Sequence, residues 1–163
     1  MPRPRTVQRG INEKKARFQP WLARTGACRE APRAVLTWAD EAAALRREIH
    51  SNPELGFETP KTCALIERAL RSYGITAIDA ESVRGGLIVT IEGNRPGKTV
   101  ALRADIDALP IRENTGLPYA SKAKGTYWGN EVDVSHMCGH DAHIAMLLTA
   151  AKILAEHRNE IDR

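Results

Sequence analysis

Thr99-Val100-Ala101-Leu102-Arg103-Ala104-Asp105-Ile106-Asp107 sets three consecutive apolar residues against a short acidic exit. A run such as Val100-Ala101-Leu102 suits a strand covered on both faces rather than one with a wet side. In an open α/β sheet, ligands bind at the carboxyl ends of the strands, and Asp105 and Asp107 stand at that end. Alternate residues of an extended segment share a face. Both carboxylates are therefore candidates to aim at one cation, or to hold a ligand imidazole; the plainer alternative is a solvated strand-to-loop turn.

Upstream, the pattern is helical and then extended. Trp38, Ala42, Leu45 and Ile49 recur on one face, with Thr37 placed as an N-cap, so a helix is expected through His50. Thr59-Pro60 opens a second helix, Leu65, Ile66, Ala69, Leu70 and Tyr73 form its buried stripe, and Gly74 supplies its stop. Ile75 to Ile78, Gly86 to Glu92 and Thr99 to Arg103 read as three strands. Pro110 to Ser135 reads as a long loop. A last helix is expected from Ala142 to His157, burying Ala145, Leu148, Ile153 and Leu154.

Between that loop and that helix lies His136-Met137-Cys138-Gly139-His140-Asp141-Ala142-His143. Cys138 and His140 flank a glycine, so both side chains can point to one side, and Gly139 permits close backbone approach to an ion. A thiolate with an imidazole suits zinc or another borderline transition metal and would not suit calcium or magnesium. The alternative is a Cys and a His merely packed at a helix start. Asp141 reads first as a cap on free helix amides. His143 can face the same site across one turn, and His136 is undecided. His50 and His157 read as solvated helix-end residues.

Composition sets the outer bounds. At 163 residues with 42% hydrophobic and 27% charged content, the chain has the make-up of an ordinary globular domain. Its net charge of +4 is uneven: residues 1–34 hold nine Lys or Arg against two acids, and the remainder holds fifteen against eighteen. The basic leader, 1–34, is read as a disordered extension, and 35–163 as the folded part. No apolar stretch is long enough to span a bilayer, and no stacking-aromatic pattern supports nucleic-acid binding, so neither partner is expected. Cys28, Cys63 and Cys138 form no spacing motif, and the leader lacks a secretory apolar core; a cytoplasmic location is the expectation.

Three segments, Leu45 to Glu58, Leu102 to Ile111 and Met137 to His143, together resemble the successive signatures of the metal-dependent aminoacylase/carboxypeptidase family. The branch they are most similar to is that of hippurate hydrolases, auxin-conjugate amidohydrolases and N-acyl-amino-acid deacylases. The resemblance implies a zinc-exopeptidase-like three-layer α/β/α catalytic domain, of which this chain is the amino-terminal portion without the lid domain. It implies a centre of two ions, zinc or manganese, with Cys138 and His140 as ligands and Asp107 supporting the centre; Asp141 and His143, from their place in the cluster, read as supporting residues. Asp105 stands where more distant relatives place a ligand His, and Met137 where a smaller residue is usual.

The implied reaction is hydrolysis of an N-acyl amino acid or peptide amide bond by a metal-activated water. The family's general-base glutamate is expected beyond residue 163, so no catalytic residue is assigned in this chain. The isolated chain is accordingly expected to be inactive, with self-association or a complementing downstream fragment as partners. The alternative is a non-catalytic binding module that retains the scaffold.

Overall fold

The structure, a computed structural model, describes residues 31–161, with side chains from residue 38 onward. Most of the leader therefore lies outside the described residues. The site and core belong to the compact unit Asp40–Arg163. The described elements are helix α1 (Ala31–Ser51), whose second half belongs to this unit, α2 (Pro60–Ser72), strands β1 (Ile78–Asp79), β2 (Ile88–Val89), β3 (Lys124–Tyr127) and β4 (Asn130–Asp133), and α3 (His140–Glu156). Helix α1 starts ahead of the expected cap, so Thr37 is an interior residue and not an N-cap.

The α2 stripe is buried as its periodicity predicts, and α2 packs on α3. Gly74, at φ 74°, ends α2 in a left-handed turn. The Gly74 and Ile75 amides donate to the carbonyls of Arg71 and Leu70, a Schellman closure that carries Ile75 into the core. At the other end, Thr59 holds the N-cap position, but its hydroxyl donates to the Gly85 carbonyl instead. The free amides of Lys61 and Thr62 are taken by the Glu54 carboxylate, at 3.1 and 2.8 Å. Glu54 thus seats its own turn on the positive end of α2.

On α3 the buried stripe is Ile144, Ala145, Leu148 and Ala151. Ile153 and Leu154, expected inside, are half-buried: steps of four, three and four residues from Ile144 lead through Leu148 and Ala151 to Ala155. Ile49 of α1 and the α2 and α3 stripes form the core, with Leu45, Ile78, Val89 and Ile106 packed against it.

Extended structure departs most from expectation. The first two strands shrink to one antiparallel pair, Ile78 opposite Val89 and Asp79 opposite Ile88. Thr99 to Arg103 forms no strand; Val100 and Leu102 are 78% and 60% exposed. A strand buried on both faces needs a paired neighbour and two covering layers, and no described residue supplies them. The segment read as a long loop contains the β3–β4 hairpin instead, closed by Trp128 and Gly129 at φ 49° and 79°. Two positive-φ residues between paired strands make a primed turn, but its usual Asn-Gly signal is missing. Gly125 lets the hairpin lie close against the Leu55 turn, since a Cβ there would meet the Leu55 and Val134 side chains at 3.0 Å and they would have to shift.

Two isolated bridges position the site. Leu55 pairs in parallel with Ala108, and Leu109 pairs antiparallel with Ser135. The Asn52–Gly56 turn, the Asp105–Pro110 exit and the approach to the Cys138 loop are thereby laid side by side.

Candidate metal centre and its buried polar support

His140 is the first residue of α3, following Gly139 at φ 85°. Its Nδ1 lies 2.9 Å from the Asp107 carbonyl oxygen and 3.1 Å from Asp107 Oδ1. Both partners are acceptors, so Nδ1 carries a proton, and the tautomer this selects for the neutral ring has its lone pair on Nε2. Cys138 is a free, exposed thiol on the same loop. The His143 ring lies 5.9 Å from that of His140, and His143 itself is exposed.

Asp105 is not part of this arrangement: its carboxylate pairs with Arg103. Asp107 meets His140 while Asp105 meets Arg103, so the two carboxylates have different partners. The donors present fit a borderline transition metal in chemistry, a thiol and an imidazole nitrogen oriented by a carboxylate. Among the described residues no three His, Cys, Asp or Glu side chains gather closely enough to hold a metal ion. A shallow cavity of about 420 Å³ on the outer face of α3 is lined by Leu102, Arg103, His143 and Met146 among others, and by neither Cys138 nor His140.

Directly behind this loop lies a buried network that local spacing does not reveal. His50, read as a solvated helix end, is 4% exposed. Its Nδ1 is 2.7 Å from Asp141 Oδ2, and its Nε2 is 3.1 Å from both oxygens of Glu113. Arg46 Nε donates to the same Asp141 oxygen at 2.6 Å, and Arg46 also reaches the Tyr119 hydroxyl at 3.4 Å. Asp141 is fully buried, and its side chain is engaged chiefly by His50 and Arg46 rather than serving only as a helix cap. His157, by contrast, is exposed as expected and meets Glu160.

Burial alone would raise the Asp141 carboxyl, but the His50 hydrogen bond and the Arg46 charge hold it below the ordinary carboxylate range. His136 is also buried, with neither ring nitrogen hydrogen-bonded among the described residues. Burial pushes it down to about 4, so it is a neutral ring packed 6.4 Å from His50. Arg46, Glu113 and Tyr119 were not singled out by sequence. The only local hint is that Arg46 and His50 are one helical turn apart.

Glu113 gives this network an acid limit. Burial opposes ionisation, yet hydrogen bonds from the Thr115 hydroxyl, the Ser121 amide and His50 outweigh it and bring the carboxyl down to about 2 from an ordinary 4.5. With the folded value depressed, the unfolded chain protonates first as pH falls. The stabilisation is complete above the ordinary value and is lost as pH drops through the folded one. Glu113→Gln is expected to lower stability near neutral pH and to flatten its decline toward about pH 3. Urea midpoints at both pH values check this; an unaltered pH slope would refute it.

Comparison with known proteins gives these segments a context. Residues 101–163 match the model of peptidase family M20/M25/M40. The chain is 43% identical over 117 residues to thermostable carboxypeptidase 2 of Saccharolobus solfataricus, covering 72% of this chain and 28% of that protein. It is 45% identical over 117 residues to N-acetyl-L-cysteine deacetylase of Bacillus subtilis, covering 72% and 26%. Among solved structures it is similar to the Bacillus subtilis YXEP protein, described as a dinuclear metal binding peptidase from M20 family, with 37% identity, a TM-score of 0.69 and coverage of 77% of this chain and 33% of that one. The chain thus spans about a quarter to a third of the length of these relatives. The α/β fold class read from the sequence holds. Over the part these matches cover, the chain belongs to peptidase family M20/M25/M40, the metal-dependent aminoacylase and carboxypeptidase family that its three segments resemble.

Proposed function

We propose that this chain supplies part of the centre of a metal-dependent amidohydrolase, with Cys138 and His140 as metal donors and Asp107 orienting His140. The observation that carries it is the His140 ring, whose Nδ1 is bonded to Asp107 while Nε2 remains available. Fixing one nitrogen of a ligand imidazole in this way is how metal sites select the tautomer that coordinates. When bound, a divalent metal supplies an activated water and stabilises charge developing on an acyl oxygen. Zinc and manganese both suit such a centre; the thiol favours zinc.

The substrate class we assign is an N-acyl amino acid or a short peptide, supported by relatives named as a carboxypeptidase and an N-acetyl-L-cysteine deacetylase. No described glutamate is hydrogen-bonded to Cys138 or His140, and the buried one, Glu113, is committed to His50. The proton-transferring glutamate is therefore assigned to none of the described residues. The exposed Val100 and Leu102 segment is where we place association with a second copy or with a complementing segment.

Two donors should bind metal without completing a catalytic set, which needs three protein ligands and a base. Equilibrium dialysis of the 163-residue polypeptide is expected to show zinc retained more tightly than manganese, with no release of amino acid from an N-acetyl amino acid. Absence of bound zinc would overturn the donor assignment. Measurable hydrolysis would overturn the absence of a base.

A further inference from the structure

The Cys138 loop has few restraints of its own. Met137 is 47% exposed, Cys138 is exposed, and nothing lies within 4 Å of where a Gly139 Cβ would stand. Gly139 also takes a positive φ, so the backbone entering α3 is neither packed nor sterically confined from that side. Among the described residues, only two sets of side-chain hydrogen bonds tie positions 137–141 down: His140 to Asp107, and Asp141 to His50 and Arg46. The two tied residues are adjacent at the start of α3.

From this geometry we infer that His50, backed by Arg46, is a positioning residue for the metal donor His140, acting through the buried carboxylate of Asp141. His50 is suited to it chemically. Each of its ring nitrogens faces a carboxylate, Asp141 on one side and Glu113 on the other, so each meets its partner only as an N–H donor. The ring is thus a two-ended strut between the Glu113 loop and α3. Its backbone is the last turn of α1, and Ile49 beside it is 1% exposed, so the strut stands on the core. Arg46, one turn earlier, grips the same Asp141 oxygen and fixes the direction of approach. With Asp141 held, the His140 Cα is held, and its Nδ1 stays within reach of Asp107. Release of Asp141 frees the first turn of α3 to rotate about Gly139.

The inference rests on the proposed donor role of His140 for its functional consequence but not for its structural test. In metal-free protein at alkaline pH, imidazole ¹⁵N shifts report which nitrogen of His140 carries the proton. The native chain is expected to show the Nδ1–H form, and His50→Gln, which cannot donate at both ends along the same axis, a mixture with Nε2–H. Cobalt(II) affinity is expected to fall roughly tenfold in the same variant, as when a group that orients a ligand is lost. Leu70→Ala, a core change with no polar contact to this loop, is expected to lower stability and leave both readouts unmoved. An unchanged His140 tautomer and cobalt affinity in folded His50→Gln would overturn the inference. If that variant does not fold, Arg46→Lys decides by the same readouts, since an ammonium cannot reproduce the guanidinium geometry on Asp141. Failure of the native chain to bind cobalt would sink the metal assignment, while the tautomer comparison would still decide the positioning role.

Discussion

Asp141→Ala is expected to destabilise the folded chain by about 3 kcal/mol. Asp141 is fully buried and accepts from His50 at 2.7 Å and Arg46 at 2.6 Å. Removing one partner of a buried ion pair typically costs about 3–5 kcal/mol, because the other charge is stranded. Here the lower end applies, for two structural reasons. The Arg46 side chain is 34% exposed and can turn to water, and His50 keeps Glu113 as a partner. The His50 Nδ1–H is still left buried without an acceptor, which alone costs about 1–3 kcal/mol. Asp141→Asn keeps the shape and one oxygen and should cost about half as much, roughly 1–2 kcal/mol. Urea unfolding followed by circular dichroism measures both. An Asp141→Ala midpoint within error of the native one would show that the network contributes nothing net.

That network also marks where reading from sequence stops. The α2 stripe and the Gly74 stop are legible because their signals lie within one helix and the core simply accepts them. The Cys138–His140 pair stands out because the two proposed donors lie two residues apart in sequence. His50 and Asp141 are 91 residues apart, and His50 and Glu113 are 63 apart, so no local periodicity joins them. A histidine on the last turn of a helix favours the bland interpretation, a solvated cation near the dipole, until the segment opposite it is known.

The β3–β4 hairpin escaped for a different reason. Its turn uses Trp128, an uncommon residue at positive φ, in place of Asn or Asp. The Val100-Ala101-Leu102 run shows the converse error. Its apolar pattern states what a strand would need, while pairing depends on neighbours that the pattern does not contain. A face shared by Asp105 and Asp107 depends on that strand, and here the Asp105 carboxylate pairs with Arg103.

Loss of the metal donors should give the largest functional effect. On titration with cobalt(II) under reducing, anaerobic conditions, the native chain is expected to develop a near-ultraviolet thiolate-to-metal absorption, because Cys138 is an exposed free thiol two residues from His140, whose Nδ1 is held by Asp107. Cys138→Ser should abolish that absorption, and His140→Ala should weaken binding beyond detection. Each loss should exceed the roughly tenfold to hundredfold penalty for deleting a residue that only orients a ligand. Asp107→Asn supplies the internal contrast. In the proposed arrangement its side chain orients His140 Nδ1 without being a donor, and the Asp107 carbonyl at 2.9 Å survives the substitution. Its affinity should therefore drop about tenfold while the thiolate absorption returns at saturating cobalt. Cys63→Ser, altering a thiol beside the Thr59 hydroxyl on α2, and Cys28→Ser should leave the absorption intact. If Cys138→Ser binds cobalt as the native chain does, with the same absorption, the thiol that binds is another one and the centre is not at the start of α3. If Asp107→Asn loses the absorption altogether, Asp107 is a donor in its own right, and its bond to His140 is a property of the metal-free protein alone.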